Sequence, residues 1–236
     1  MFEYAGIKNT DIGLQVNGHI NIPYPQERIQ KIQVPGRDGD LTVIEKNRED
    51  IEIVIPLNYI SSAENWSKVW REAKKWLKKK NEKLILEGDA GYFYKCRYVS
   101  VGTNERKSLR VGNFTATFVC EGYQYAIEGQ YPLELKFTEG NESKYCIVRN
   151  SYDTSYPLYQ ISGNGTFDLE VNGKHMRGSC AGRLTIDTDR EISYKDNKSA
   201  NTDVTGTYKD LSLEEDENIV KITQGFDLVI IPRWRE

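Results

Sequence analysis

Two histidines, His19 and His175, are the side chains in this sequence best suited to acid–base chemistry at neutral pH. Each follows an Asn-Gly pair, Asn17-Gly18 or Asn172-Gly173, and such pairs favour tight turns between antiparallel strands. The two histidines therefore fall on different hairpins, in what we interpret as different domains. No G-x-S-x-G or similar string places a nucleophile beside either of them. We expect two exposed hairpin histidines and no catalytic residues.

Asp187-x-Asp189 is the best candidate for a metal site, since it begins like a calcium-binding loop. Such a loop needs a glycine at its sixth position and a glutamate at its twelfth. This sequence has Ile192 and Lys198 at those positions. We therefore interpret the motif as a strand end with two solvated carboxylates, and we predict no metal and no cofactor.

The four cysteines, Cys96, Cys120, Cys146 and Cys180, contain no C-x-x-C pair, which argues against zinc. The chain begins Met1-Phe2-Glu3-Tyr4, which is neither basic nor followed by an apolar signal region, and no apolar run reaches membrane-spanning length. We therefore expect a soluble product made in the cytoplasm, with reduced thiols. The net charge of −3 disfavours non-specific binding of the whole chain to DNA or anionic membranes.

The elements that would position these residues are mostly strands. Ile51, Ile53, Ile55 and Leu57 alternate with more polar residues, which predicts a strand with one buried face. One helix is predicted at about 61–80, where Ser61-x-x-Glu64 matches a capping box. Its apolar stripe is expected to face the core. The residues of that stripe are Trp66, Val69, Trp70, Ala73 and Leu77.

The same helix carries a run of cations, including Arg71, Lys74, Lys75 and the lysines at 78–80. A groove for nucleic acid is one interpretation of this run. A solvated helix face explains it without a ligand, and we favour that second interpretation.

The second half of the chain has no helical periodicity. Short alternating runs separated by turn residues predict an antiparallel β-sandwich. We expect polar, exposed loops at 196–206 and at 214–218. The predicted fold is therefore mainly β, with an N-terminal β domain containing one α-helix at 1–130 and a β-sandwich at 131–236.

A rigid corner is predicted around Pro35, Gly36, Arg37, Asp38 and Gly39. Proline fixes its own φ, and both glycines can take the positive φ that a sharp reversal needs. Apolar runs flank the corner, so we predict a turn between a strand at about 27–34 and a short strand at 41–44. Whether the corner only fixes strand register or also makes contacts in an assembly is left open by its residues.

Several landmarks, taken in order, resemble the distal tail proteins that form the tail-tip hub of siphophages. They are VPGRDGDL at 34–41, the Trp-containing helix, FVCEGY at 118–123, ISGNG at 161–165, LEVNG at 169–173, LTID at 184–187, NIV at 218–220 and IIPRWR at 230–235. Together they extend over nearly the whole chain. One departure is Asp216, where that family often has glycine two residues before Asn218.

The resemblance implies an N-terminal domain that closes into a homohexameric ring and a C-terminal galectin-like sandwich. It also implies a hub at the virion tail tip, assembled in the bacterial host cytoplasm. Its partners would be the tail tube protein, a tail-associated protein and a receptor-binding protein, with DNA only passing through the channel. On this basis Pro35, Gly36, Arg37, Asp38 and Gly39 are the candidate ring or tube interface.

Two other functions remain open. The C-terminal sandwich could bind cell-wall saccharides as an independent carbohydrate-binding protein, or it could be a jelly-roll glycosidase with a carboxylate pair in a cleft. The sugar-binding strings of true galectins, H-x-N-x-R and W-x-x-E, are absent; His175 is followed by Met176 and Arg177. Neither alternative accounts for the order of the landmarks.

Overall fold

Strands form most of the regular structure, as the alternation of apolar residues predicts. The computed structural model describes residues 1–33, 35–36, 38–196 and 198–236, and only the backbone at 44–46. Val34, Arg37 and Asn197 lie outside the described residues. The chain divides into two compact units, Met1–Gln124 and Tyr125–Glu236. The predicted mainly-β fold with one helix is confirmed for the described residues.

The first unit is built around one antiparallel sheet and a helix, α1 (Trp66–Leu77). Its strands are β1 (Phe2–Tyr4), β2 (Ile7–Lys8), β3 (Leu14–Val16), β4 (Glu27–Ile32), β5 (Leu41–Arg48), β6 (Ile51–Ile60), β7 (Glu82–Leu86), β8 (Tyr92–Val101), β9 (Glu105–Arg106) and β10 (Val111–Ala126), whose last two residues fall in the second unit. The sheet order is β2-β1-β7-β8-β10-β6-β3, with β9 added to β10. Strands β4 and β5 form a separate two-stranded sheet.

The core of this unit lies between one face of the sheet and α1. Ile51, Ile53, Ile55 and Leu57 of β6 are buried, as their alternation predicts, and the residues between them are more exposed. From the helix, Trp76 packs its ring on Phe2, with 5.7 Å between ring centroids, and its Nε1 donates to the carbonyl of Tyr4 at 2.9 Å. The buried tryptophan therefore satisfies its only polar atom while filling the core.

Helix α1 is shorter than the predicted 61–80. The capping box at Ser61 does not form, because the N–H of Ser61 is already used: it donates to the carbonyl of Arg110, just before β10, at 2.9 Å. The lysines at 78–80 follow the helix, and Tyr4 donates its hydroxyl to the carbonyl of Lys79 at 2.7 Å. The apolar stripe does face the core, with Ala73 and Leu77 buried.

The hairpin predicted at Asn17-Gly18 is wrong. Strand β3 ends at Val16, and no strand follows it directly in the described chain. Instead β3 pairs with β6, and the chain meets β6 again through a single bridge between Asn21 and Val54. Pairing with a buried ten-residue strand outweighs the local turn preference of two residues.

The second unit is an antiparallel sheet without an α-helix in its described part. Its strands are β11 (Thr138–Glu139), β12 (Ser143–Asn150), β13 (Leu158–Val171), β14 (Lys174–Asp187), β15 (Ile192–Lys195), β16 (Lys198–Ser199), β17 (Val204–Thr205), β18 (Asp216–Thr223) and β19 (Asp227–Ile231). Their order is β11-β12-β18-β13-β14-β15-β16, with β17 on β14 and β19 on β13.

Strands β13 and β14 form the long hairpin at the centre of this unit. The turn at Asn172-Gly173 has φ of 51° and 80°, so the predicted tight turn is confirmed. Strand β13 pairs with β19 near its start and with β18 at its end, and Gly182 in the middle of β14 has φ of 92°. The sheet therefore bends along these strands and encloses an apolar core. That core includes Tyr159, Ile161, Leu169, Val171, Met176, Leu184, Ile186, Val220, Ile222 and Ile230.

Candidate assembly surface

The predicted corner is the tip of the hairpin that β4 and β5 form. Ile32 pairs with Leu41 and Gln30 with Val43, so the two strands run in register up to the tip. Gly36 and Gly39 have φ of 81° and 80°, in the left-handed region that favours glycine. A Cβ at either position would meet no atom within 4 Å, so backbone conformation, and not crowding, requires glycine there.

The hairpin exposes apolar side chains that a soluble monomer would ordinarily bury. Ile32, Leu41 and Val43 lie on one face, because cross-strand partners and alternate residues point to the same side. Their exposed fractions are 46%, 41% and 40%. In the described part of the chain no third strand pairs with this hairpin, and an isolated two-stranded hairpin is only marginally stable in water. The face is therefore suited to being covered by another protein surface.

The base of the hairpin is fixed to β10 at Gly122. A Cβ on Gly122 would lie 2.4 Å from the carbonyl oxygen of Glu49 and 2.9 Å from the Cβ of Arg48. Arg48 also places its guanidinium 4.6 Å from the ring centroid of Tyr123. Glycine at 122 thus permits the close approach that anchors the exposed hairpin to the sheet.

The structure brings Pro35, Gly36, Asp38 and Gly39 together at the exposed hairpin tip, while Arg37 lies outside the described residues. Sequence reasoning did not identify the apolar face beside the tip. Its residues were visible as apolar runs flanking the corner, and we predicted two strands there, but the pattern did not show whether other strands would cover them. Only the separate pairing of β4 with β5 shows that these side chains remain exposed.

The two histidines are exposed, as predicted. His19 lies in an open groove with Asn21, Ile22 and Val54. His175 places Nδ1 3.0 Å from Oδ1 of Asp168.

Asp168 connects His175 to Arg177, whose Nε donates to Oδ2 of the same carboxylate at 2.9 Å. Burial would raise the pKa of Asp168, but the hydrogen bonds from Arg177 and His175 lower it below its usual value. This charged cluster borders an open groove of about 580 Å³. Its other polar lining residues are Thr166, Ser179, Asp203, Thr205 and Thr223.

Asp187 does not have the solvated carboxylate that we predicted. It is 2% exposed, and Arg233 donates to it twice, with Nη1–Oδ1 at 2.7 Å and Nη2–Oδ2 at 2.9 Å. The carboxylate is buried because Arg233, far along the chain, neutralises its charge. In the described part of the chain, no group of three or more acidic, His or Cys side chains could hold a metal ion.

All four cysteines are buried and free of disulfides. Burial raises the pKa of Cys146 to about 11 and also raises that of Cys180. The thiolate is the reactive form, so burial suppresses nucleophilic chemistry at these two sites. No described helix is long and apolar enough to cross a membrane.

Similarity to known proteins is found among solved structures. No protein-family model matches the chain, and no curated protein matches it. Among solved structures, it is similar to SPP1 Dit (gp 19.1), a hub protein of the adsorption apparatus in phages that infect Gram-positive bacteria. The TM-score is 0.71 at 15% sequence identity, over 97% of this chain and 96% of that one. This chain has the Dit fold.

The Dit fold was expected from the ordered landmarks, and the structural similarity confirms that resemblance at the level of fold. The similarity extends over both units, whereas each landmark is only a few residues long. In this chain several of the landmarks lie at positions that shape the fold. The corner forms the hairpin tip, Gly122 anchors the hairpin base, and Arg233 of the closing motif pairs with Asp187.

Proposed function

We propose that this protein is a structural hub at the tail tip of a siphophage or prophage. In this proposal, six copies form a ring through the N-terminal unit. The ring connects the tail tube to a tail-associated protein and to the receptor-binding apparatus, and DNA passes through its channel. The protein would be assembled in the bacterial host cytoplasm, and its role would be structural, without catalysis or cofactor.

The similarity to SPP1 Dit over nearly the whole chain supports the hub role most directly. The exposed apolar face of the hairpin is the second support, because it needs a covering surface. We place the ring or tube contact on this hairpin, with Pro35, Gly36, Arg37, Asp38 and Gly39 at its tip. The C-terminal unit would be the galectin-like domain that docks other tail proteins.

Light scattering of the purified protein over a range of concentrations tests the ring. The expected particle has six times the 27.2 kDa mass of the chain. Replacing Ile32, Leu41 and Val43 with serine should reduce the particle to a single chain, with an unchanged circular dichroism spectrum. Arg37→Ala with Asp38→Ala should also impair assembly, in the ring itself or in tail reconstitution.

The matched control replaces three exposed apolar residues elsewhere, Leu109, Ile147 and Ile219, with serine. It should keep the mass of the wild type. If the hairpin variant assembles normally, or if the control dissociates to the same extent, the hairpin is not part of the ring interface.

Carbohydrate binding is the alternative function, and the polar groove beside Asp168 and Arg177 is the observation that favours it. Paired carboxylate and guanidinium groups suit sugar hydroxyls, which both donate and accept hydrogen bonds. A pull-down with host cell walls distinguishes the two functions. Binding that is lost in Asp168→Asn, with a monomeric wild type, would favour the carbohydrate binder.

A further inference from the structure

Three Asn-Gly pairs occur in this chain, and they differ in what holds the asparagine side chain. The pairs are Asn17-Gly18, Asn164-Gly165 and Asn172-Gly173. An asparagine followed by glycine is prone to lose its amide spontaneously, because glycine has no side chain to keep its nitrogen away from the neighbouring carboxamide. All three asparagines are exposed, so access of water does not distinguish them. The hydrogen bonds of each carboxamide decide which pair can react.

Asn172 is held at both ends of its carboxamide. Its Nδ2 donates to Oδ1 of Asn218 at 2.8 Å, and its Oδ1 accepts from the N–H of Ile219 at 2.9 Å. Both partners lie in strand β18, and Asn218 is itself buried. Attack on this carboxamide therefore requires two hydrogen bonds to the sheet to break first.

Asn164 is held within the central hairpin of the second unit. It lies in β13 opposite Ala181 of β14, and Gly165 lies opposite Cys180. The Oδ1 of Asn164 accepts from the N–H of Gly182 at 3.1 Å. The paired backbone and the bonded oxygen restrain the rotations that would bring the nitrogen of Gly165 to the carboxamide carbon.

In the described part of the chain, no such contacts hold Asn17. The tight turn that its sequence predicts does not form, and β3 ends one residue earlier at Val16. Among the described residues, no hydrogen bond fixes the Asn17 side chain, and the N–H of Gly18 donates to no backbone carbonyl. Gly18 is exposed, and a Cβ there would meet no atom within 4 Å. The two reacting groups can therefore approach each other without displacing a neighbour.

We propose that Asn17 is a site of spontaneous deamidation in the folded protein. The nitrogen of Gly18 forms a bond to Cγ of Asn17 and gives up its proton, while Cγ releases its amide nitrogen as ammonia. Water then adds to one of the two carbonyl carbons of the resulting succinimide and breaks the bond from that carbon to nitrogen. The product is aspartate or isoaspartate at position 17, and water is the only co-reactant.

This modification changes an edge of the sheet in the first unit. The N–H of Asn17 donates to the carbonyl of Pro56 at 2.9 Å, and Asn21 forms the bridge to Val54. Isoaspartate adds one atom to the main chain between these two contacts, and either product adds a negative charge two residues from His19. We therefore expect the segment after β3 to separate from β6 more readily in the isoaspartate form.

Peptide mapping by mass spectrometry tests the proposal on the full chain. The purified protein is held at mildly alkaline pH, once folded and once in guanidinium chloride, where the unfolded chain gives the intrinsic rate of each pair. We expect Asn17 in the folded protein to deamidate close to its unfolded rate. Asn164 and Asn172 should be slowed by about tenfold or more, because their hydrogen bonds must break first.

Asn17→Gln is the matched variant, because glutamine keeps the amide but forms the larger cyclic imide far more slowly. The exposed side chain has no described partner to lose, and an unchanged circular dichroism spectrum checks the fold. Labelling by an isoaspartate-specific methyltransferase should appear in the aged wild type and be nearly absent from this variant. The proposal is overturned if folding slows all three pairs equally, or if the aged variant is labelled as strongly as the wild type.

Discussion

The ion pair between Asp187 and Arg233 makes the second unit sensitive to acid. Burial would raise the pKa of Asp187, but the hydrogen bonds and charge of Arg233 lower it below its usual value. The folded state therefore binds a proton less readily than the unfolded chain, in which the pKa of an aspartate is about 3.9. The pair stabilises the fold fully above that pH, and its contribution is lost as pH falls through the lower, folded pKa.

We expect Asp187→Asn to reduce the free energy of unfolding at pH 7 by about 3 kcal/mol, because Arg233 loses its two short hydrogen bonds and keeps only the longer contact with Asp189 at 4.0 Å. Urea denaturation between pH 7 and pH 2.5 measures this, and the difference between variant and wild type should shrink in acid. Asp227→Asn, at a side chain that is 88% exposed, is the control and should change stability little. If the difference in unfolding free energy between variant and wild type stayed constant across this pH range, the ionised Asp187 would not be the source of the stabilisation.

At the scale of elements, the hairpin of β4 and β5 depends on the space that Gly122 leaves for its base. Gly122→Ala places a Cβ 2.4 Å from a backbone oxygen that has little freedom to move. Such overpacking costs about 1–3 kcal/mol. We expect that loss in chemical denaturation, together with faster hydrogen exchange of the β4 and β5 amides.

Gly91→Ala is the matched control for Gly122→Ala, because a Cβ there would meet no atom within 4 Å and φ is not positive. If both alanine variants were equally stable, the close approach at Gly122 would not anchor the hairpin.

Sequence patterns predicted elements well where local preference and tertiary pairing agree. The alternation at 51–57 gave a buried strand, and Asn172-Gly173 gave a turn, because long alternating strands flank it on both sides. At Asn17-Gly18 no strand follows the pair directly in the described chain, and β3 pairs with β6 instead. The helix begins later than predicted for a similar reason, since the N–H of Ser61 is bonded to the carbonyl of Arg110.

The candidate surface was only partly predictable. Glycine and proline spacing identified the hairpin tip, because backbone conformation is encoded locally. Whether Ile32, Leu41 and Val43 face a core or a partner depends on which strands pair, and alternation is the same in both cases. Asp187 was predicted to be solvated and is buried, because its ion-pair partner Arg233 lies 46 residues away and no local pattern reveals the pairing. Asn218 was expected in an exposed loop and is buried, since its side chain holds that loop from within.

At the scale of the whole molecule, two units with their own cores should fold independently. Tyr125 and Ala126 belong to the second unit through backbone pairing with Arg235 and Trp234. We expect a fragment spanning 125–236 to show a β-type circular dichroism spectrum and a cooperative thermal transition. A fragment that starts at 131 loses this pairing and should melt at a lower temperature. The absence of a cooperative transition in the longer fragment would show that the first unit is needed for folding.

The hairpin also matters for the life of the chain before assembly. Strands β4 and β5 pair with each other and with no other strand of the described chain, so each has an open outer edge. An open edge beside exposed apolar residues is a template for adding a foreign strand, and it promotes aggregation. Single copies of the chain are therefore vulnerable to aggregation through this hairpin. The proposed ring would cover this edge, so we expect the wild-type chain below its assembly concentration to aggregate more readily than the serine-substituted hairpin variant.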